Sequence, residues 1–204
     1  MKKIKLSVLA ASVLALGTLA FVTGEVLPIG SSLPLIDEKM MNVDGKEITL
    51  KDAAKSKGLL VMFSCNTCPY VIKNQERTIE AADRASDLEI GTILINSNEA
   101  LRGDADSPAA MKDYAQEQNY LMPYAIDKDS KIADAFGATK TPEVFLFDGE
   151  MKLVYHGAID DNPTDAGNVK RNHLFEAMKE LNAGKKITVT ESKGVGCGIK
   201  RVKK

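Results

Sequence analysis

Cys65 and Cys68 stand three positions apart in Cys65-Asn66-Thr67-Cys68. A thiolate is the nucleophile of disulfide exchange, and an ordinary Cys ionises only near pH ~8.5. A helix N-terminus lowers that value, because unpaired N–H groups and the helix dipole favour negative charge there. The C-x-x-C spacing lets the two sulfurs close a small disulfide loop. Leu59-Leu60-Val61-Met62-Phe63 comes just before the pair and reads as a strand buried on both faces. Pro69 comes just after, and proline suits the first turn of a helix. Strand, C-x-x-C and helix together form a specific signal for thiol–disulfide chemistry. Zinc would need about four N/S ligands. Only Cys197, His156 and His173 remain, in no paired spacing, so neither a metal nor a cofactor is expected. Exchange with another molecule also requires that the sulfurs not be shielded from it.

The elements that must position the pair follow from the pattern. Glu25–Pro34 reads as a linker into the domain. Asp44-Gly45 marks a turn between short strands at Leu33–Met40 and Glu47–Leu50, an N-terminal hairpin. After Leu59–Phe63 comes a helix over Tyr70–Asp87. Ile90–Ile95 is a second buried strand, and Asn96–Asp106 is a polar loop. Ser107-Pro108 opens a helix running to about Asn119. Tyr124–Ile126 is a brief strand. Ser130–Phe136 is a short helix closed by Gly137. Val144–Phe147 and Leu153–Tyr155 form a hairpin around Asp148-Gly149. A last helix covers Asn168–Asn182, with Leu174, Phe175, Met178 and Leu181 on one stripe, and Gly184 ends it. The order β-α-β-α-β, hairpin, α demands an α/β fold with a central mixed sheet flanked by helices.

The chain has 204 residues, of which 44% are hydrophobic, with 27 basic and 28 acidic side chains. No basic excess exists to neutralise phosphates, which argues against a nucleic-acid partner. Lys200, Arg201, Lys203 and Lys204 read as a solvated basic end. At the other end, Lys2, Lys3 and Lys5 precede the uncharged run Leu6–Val22 and then Thr23-Gly24. That order reads as a signal peptide over residues 1–24, with an uncleaved membrane anchor as the alternative. Its removal leaves 24 basic against 28 acidic residues, a net charge of −4. The expected location is periplasmic or secreted, where thiols tend to be oxidised. A domain over 25–184 and an extension over 185–204 complete the organisation.

At these residues the chain resembles the thioredoxin superfamily over roughly Leu33–Ala183. The resemblance includes the strand before the C-x-x-C and Thr141-Pro142 before Val144–Phe147. It implies a thioredoxin-like fold and a cis bond before Pro142. It also implies a role for the Thr141 backbone in binding a thiol-bearing peptide. The chain is similar in particular to the peroxiredoxin-like (redoxin) branch. The matching segments are Cys65–Val71, Asp106-Ser107-Pro108, Phe145–Asp148, Tyr155–Asp161 and Gly196–Lys200. Thioredoxin's Trp-Cys-Gly-Pro-Cys is not reproduced, because Asn66-Thr67 replaces Gly-Pro and the chain has no Trp. Counted without gaps, Cys68 falls at thioredoxin's first Cys and Cys65 resolves. With a two-residue gap, Cys65 is the exposed nucleophile. Pro69 at the helix start favours Cys68. Thioredoxin's buried Asp has no acidic counterpart in this register, where Met62 stands.

Cys197 lies in Gly194-Val195-Gly196-Cys197-Gly198. Glycines leave a backbone mobile, so three readings stay open: a resolving thiol folded back on the pair, a mixed disulfide with a partner, or a free tail thiol. His156 and His173 read as structural. The expected function is an extracytoplasmic thiol–disulfide oxidoreductase acting on protein thiols and disulfides with an unidentified redox partner. A thiol peroxidase is a weaker alternative. Its Pro-x-x-x-Thr-x-x-Cys setting is missing, and Arg77, Arg84, Arg102 and Arg171 have no assignable role. A metallochaperone using the C-x-x-C-Pro segment and His156 is the non-enzymatic alternative.

Overall fold

The computed structural model describes residues 25–202. The run read as a signal peptide or anchor lies outside them. Among the described residues no helix is long and apolar enough to cross a membrane.

Strands β1 (Met40–Asn42) and β2 (Glu47–Ile48) form the N-terminal hairpin. Its turn is fixed where the Asp44 carboxylate accepts the Lys46 N–H at 3.0 Å. Helix α1 (Leu50–Ala53) starts at Thr49, whose hydroxyl and backbone N–H exchange hydrogen bonds with Asp52 in a capping box. Then follow β3 (Gly58–Ser64), α2 (Pro69–Lys73), α3 (Gln75–Asp87) and β4 (Ile90–Asn96). Next come α4 (Pro108–Glu117), capped by the Ser107 hydroxyl, β5 (Tyr124–Ile126) and α5 (Lys131–Phe136). The chain continues with β6 (Lys140–Thr141), β7 (Glu143–Asp148), β8 (Leu153–Gly157), α6 (His173–Asn182) and β9 (Cys197–Gly198).

Seven strands make one sheet in the order β2-β1-β5-β4-β3-β7-β8. The β3–β4 and β4–β5 pairs are parallel and the others antiparallel. The period-2 alternation of a strand sends neighbouring side chains to opposite faces. Leu59, Val61 and Phe63 therefore pack with Phe145, Phe147 and Ile93 against α1 and α5. Leu60, Met62, Leu94, Val144 and Leu146 pack on the other face against α3, α4 and α6. Every residue of β3 is buried, and each Leu or Phe so buried contributes about 1.5–3 kcal/mol. The central strands are held rigidly, and the site sits where β3 ends.

Several elements differ from expectation. The helix expected over Tyr70–Asp87 breaks at Asn74, whose backbone leaves helical geometry (φ −99°, ψ 6°). The buried Asn74 amide donates to the carbonyls of Tyr70 at 2.7 Å and Pro163 at 2.9 Å, which competes with continuation of the helix. Glu25–Pro34 is no loose linker. Leu27 and Leu33 are buried, and Gly30 and Leu33 donate to the carbonyls of Leu153 and Met151. The first hairpin arm shrinks to Met40–Asn42, because Leu35 turns the chain with a positive φ of 51°. Helix α6 begins at His173, five residues late. Asp165 instead caps a 3-10 turn at Ala166–Asn168, and the Asp161 carboxylate holds the Lys170 N–H.

The glycine-rich tail is held against the domain at two places. Its first stretch runs beside β8, where His156 N–H donates to Thr190 O at 2.9 Å and Ser192 N–H to His156 O at 3.0 Å. Its end forms the two-stranded ribbon β6–β9, with Thr141 opposite Cys197 in antiparallel register.

Candidate active site

Cys65 follows the C-terminal end of β3, and Cys68 is the residue that caps α2, with Pro69 at the first helical position. The loop between them is held by Asn66. Its N–H donates to Asp106 Oδ1 at 2.9 Å, its amide nitrogen to Ala105 O at 2.8 Å, and its amide oxygen accepts the Tyr124 hydroxyl at 2.9 Å. Asp106 is fully buried and also accepts the side-chain amides of Asn96 at 2.8 Å and Asn98 at 2.9 Å.

Both sulfurs touch Thr141. Cys65 Sγ lies 3.2 Å from the Thr141 hydroxyl, and Cys68 Sγ lies 3.2 Å from its carbonyl oxygen. The Thr141–Pro142 peptide is cis. Cys65, Cys68 and Val71 form a small buried cluster covered by Tyr70 and Cys197. All three cysteines are thiols. Cys65 is 2% exposed and Cys68 3%, so neither is the open nucleophile that exchange would favour. The cover is the tail, with half-buried Cys197 on top.

The two thiols share their ionisation unequally. Donation from Cys65 draws the Cys68 thiol down, with help from the Cys197 thiol and the N–H groups of Val71 and Cys197, against the cost of burial. The Thr141 carbonyl at 3.2 Å suits a protonated Cys68 and works the other way. The surrounding donors prevail, and the Cys68 thiol lies below its ordinary value. Cys65 is pushed up, first because its proton bridges to Cys68, then by burial and by the charge of Asp106. The Cys197 thiol is raised by burial and by its neighbour Cys68.

Met62 stands where thioredoxin has its buried Asp, as the register implied, but Asp106 brings a buried carboxylate to the loop between the cysteines from elsewhere in the chain. It comes from the loop after β4 rather than from β3. The signal was a polar run, Asn96-Ser97-Asn98, at the carboxyl end of a buried parallel strand, where α/β sheets build their sites. A second buried acid, Glu143, follows Pro142. Burial alone would raise its carboxyl, yet contacts with His156 Nε2 at 2.9 Å and the N–H groups of Thr139 and Lys140 hold it below the usual range. His156 is thus engaged with Glu143. Arg77 pairs with buried Asp160, Arg84 with Glu80, and Arg171 with Glu176. Arg102 donates to the backbone carbonyls of Asn96 and Asp106.

A mixed sheet with helices on both faces and a C-x-x-C at the end of its central strand defines a thioredoxin-fold protein. The chain belongs to the Redoxin family, whose model matches residues 28–172. It is similar to the thiol-disulfide oxidoreductase ResA of Bacillus thuringiensis (strain Al Hakam), 27% identical over 66% of this chain and 72% of that one. Among solved structures, an uncharacterized conserved protein from Geobacillus kaustophilus is 31% identical. It covers 90% of this chain and 97% of its own, with a TM-score of 0.81. A hypothetical protein from Sinorhizobium meliloti 1021 is 28% identical over 89% and 99% of the two chains, with a TM-score of 0.80.

Proposed function

We propose that this chain is an extracytoplasmic thiol–disulfide oxidoreductase that exchanges disulfides through Cys65 and Cys68. The observation that carries the reading is the pair of sulfurs meeting one residue, Thr141, with the Cys68 thiol drawn down and the Cys65 thiol pushed up. Cys68 as a thiolate attacks one sulfur of a partner protein's disulfide, so that the partner's S–S bond breaks, a mixed disulfide forms and the other partner sulfur leaves as a thiolate that takes up a proton. Cys65 loses its proton and displaces the partner's thiol, leaving Cys65–Cys68 oxidised. In the reverse direction the oxidised pair takes two electrons from a partner dithiol. Thr141 lies against both sulfurs and Pro142 follows it, which supports their role as the edge that binds a partner strand in the place β9 takes here. The name of the ResA relatives supports the activity. The Lys2–Val22 pattern supports export.

Insulin-disulfide reduction tests the reading. Cys65→Ser and Cys68→Ser are each expected to abolish turnover, and full turnover in both variants would end it. The potential of the couple then sets direction: a value near about −270 mV marks a reductant and one near about −120 mV an oxidant.

A further inference from the structure

A disulfide exchanger must meet its partner, yet its two sulfurs are covered by a segment of its own chain. That segment, β9, lies antiparallel on Lys140–Thr141, and Cys197 stands opposite Thr141, the residue both active-site sulfurs touch. Cys197 packs on the same thiol cluster, where it is one of the neighbours that draw the Cys68 thiol down.

The placement is enforced from both sides of Cys197. At Gly196 a Cβ would come within 2.3 Å of the Thr141 carbonyl oxygen, so only glycine lets the tail approach this closely. Beyond it, Ile199 is buried and donates its N–H to Thr139 O at 3.0 Å. Lys200 N–H donates to Asn98 Oδ1 at 2.8 Å, Ala100 N–H returns a bond to Lys200 O at 2.8 Å, and Arg201 pairs with Asp134. Asn98 also holds Asp106, which holds the Asn66 N–H, so one hydrogen-bond chain joins the tail to the C-x-x-C loop.

We propose that Cys197 is an internal exchange partner of Cys68, presented by a tail docked as a tethered strand. This deepens the thiol–disulfide reading and rests on it. Starting from oxidised Cys65–Cys68, the Cys197 thiol loses its proton and attacks the Cys68 sulfur. The Cys65–Cys68 bond breaks and a Cys68–Cys197 bond forms. The electron pair leaves on Cys65, which takes up one proton. The step is an isomerisation and consumes neither oxidant nor reductant. The disulfide thereby reaches Cys197, which is half-buried where the pair is covered. The partner class that fits is a protein dithiol that attacks Cys197 at the surface and collects the oxidising equivalent there. Holding both sulfurs in place beforehand replaces a bimolecular encounter with an intramolecular one.

The test uses the full chain with Cys65→Ser, oxidised by one equivalent of diamide, blocked with N-ethylmaleimide and mapped as non-reduced tryptic peptides by mass spectrometry. A Cys68–Cys197 cross-link in the monomer is expected, forming at least ten-fold faster than intermolecular dimers at micromolar protein. A monomer keeping two alkylated thiols, or dimers alone, would overturn the proposal. Adding Gly196→Val, which lifts the strand from Thr141, is expected to slow the cross-link about ten-fold, and an unchanged rate would remove the docked strand from the mechanism. Cys197→Ser separates this proposal from the reading beneath it, because that variant must still close Cys65–Cys68. If Cys65–Cys68 closes and Cys68–Cys197 never does, the tail relay alone fails. If the pair itself does not close, the exchange function falls and the relay with it.

Discussion

Replacement of Asp106 by Asn probes the acid that sequence reasoning overlooked. Asp106 Oδ1 accepts Asn66 N–H and the Asn96 amide, and Oδ2 accepts the Asn98 amide. An Asn at 106 can keep the first two bonds, but its own NH2 then faces the Asn98 NH2. If Asn98 flips to accept, it withdraws the oxygen that holds the Lys200 N–H. Either way one bond is lost, and a hydrogen bond to a charged group is worth about 1.5–3 kcal/mol. For a chain of this size each kcal/mol moves Tm by about 2–4 °C, giving a fall of roughly 3–12 °C. The loss of negative charge beside Cys65 also lowers that thiol's pKa, because Asp106 now helps raise it. Calorimetry reads the first effect. Iodoacetamide labelling of Cys65 against pH, followed by mass spectrometry, reads the second as a profile moved to lower pH. A Tm within about 1 °C of the parent's, together with an unmoved Cys65 profile, would refute the placement of Asp106 at the heart of this site.

Other outcomes follow from the same geometry. The stability difference between reduced and oxidised protein isolates the thiols. Cys68 is lowered in the fold, so its contribution is present above the unfolded value of ~8.5 and is lost as pH falls. Cys65 is raised, so its contribution is present below ~8.5 and is lost as pH rises. Urea titrations of both forms should therefore give a difference that peaks near that pH, and a monotonic trend would contradict the assignment. Cys65→Ala removes the main donor to Cys68, so the Cys68 thiolate absorbance at 240 nm should titrate at higher pH than in the parent. Arg77→Ala strands buried Asp160, and denaturant unfolding should register a loss of about 3–5 kcal/mol. Insulin reduction by the surviving folded fraction should be unchanged.

Short-range patterns in the chain carried most of the fold. Buried runs such as Leu59–Phe63 and Val144–Phe147 announced the central strands. Ser107-Pro108 and Gly137 announced helix ends, and Asp44-Gly45 the first turn. What the pattern could not carry was pairing at long range. The tail's glycines suggested freedom, whereas Gly196 serves a close approach to Thr141, fifty-five positions earlier in the chain. The break at Asn74 depends on the Pro163 carbonyl, which only the folded loop brings near. Leu27 and Leu33 looked like linker residues until Phe136 and Met151 supplied backbone partners for them. At the site, the two cysteines were legible from their neighbours in sequence, and Thr141-Pro142 only through the resemblance to the thioredoxin superfamily. Asp106 was not, because its partners Asn66, Asn96 and Asn98 converge from separate segments.

The stretch Thr190–Ser192 has a consequence for how this molecule behaves in company. By bonding to both sides of His156, it closes the far end of the β8 margin, as Gly30 and Ser31 do at Leu153, where unpaired amides and carbonyls would otherwise face any passing strand. The opposite margin is β2, only two residues long. A chain cut after Gly184 would bare that part of the β8 margin together with the flank of β6 in one stroke, and copies of it should adhere to one another more than copies of the intact chain do.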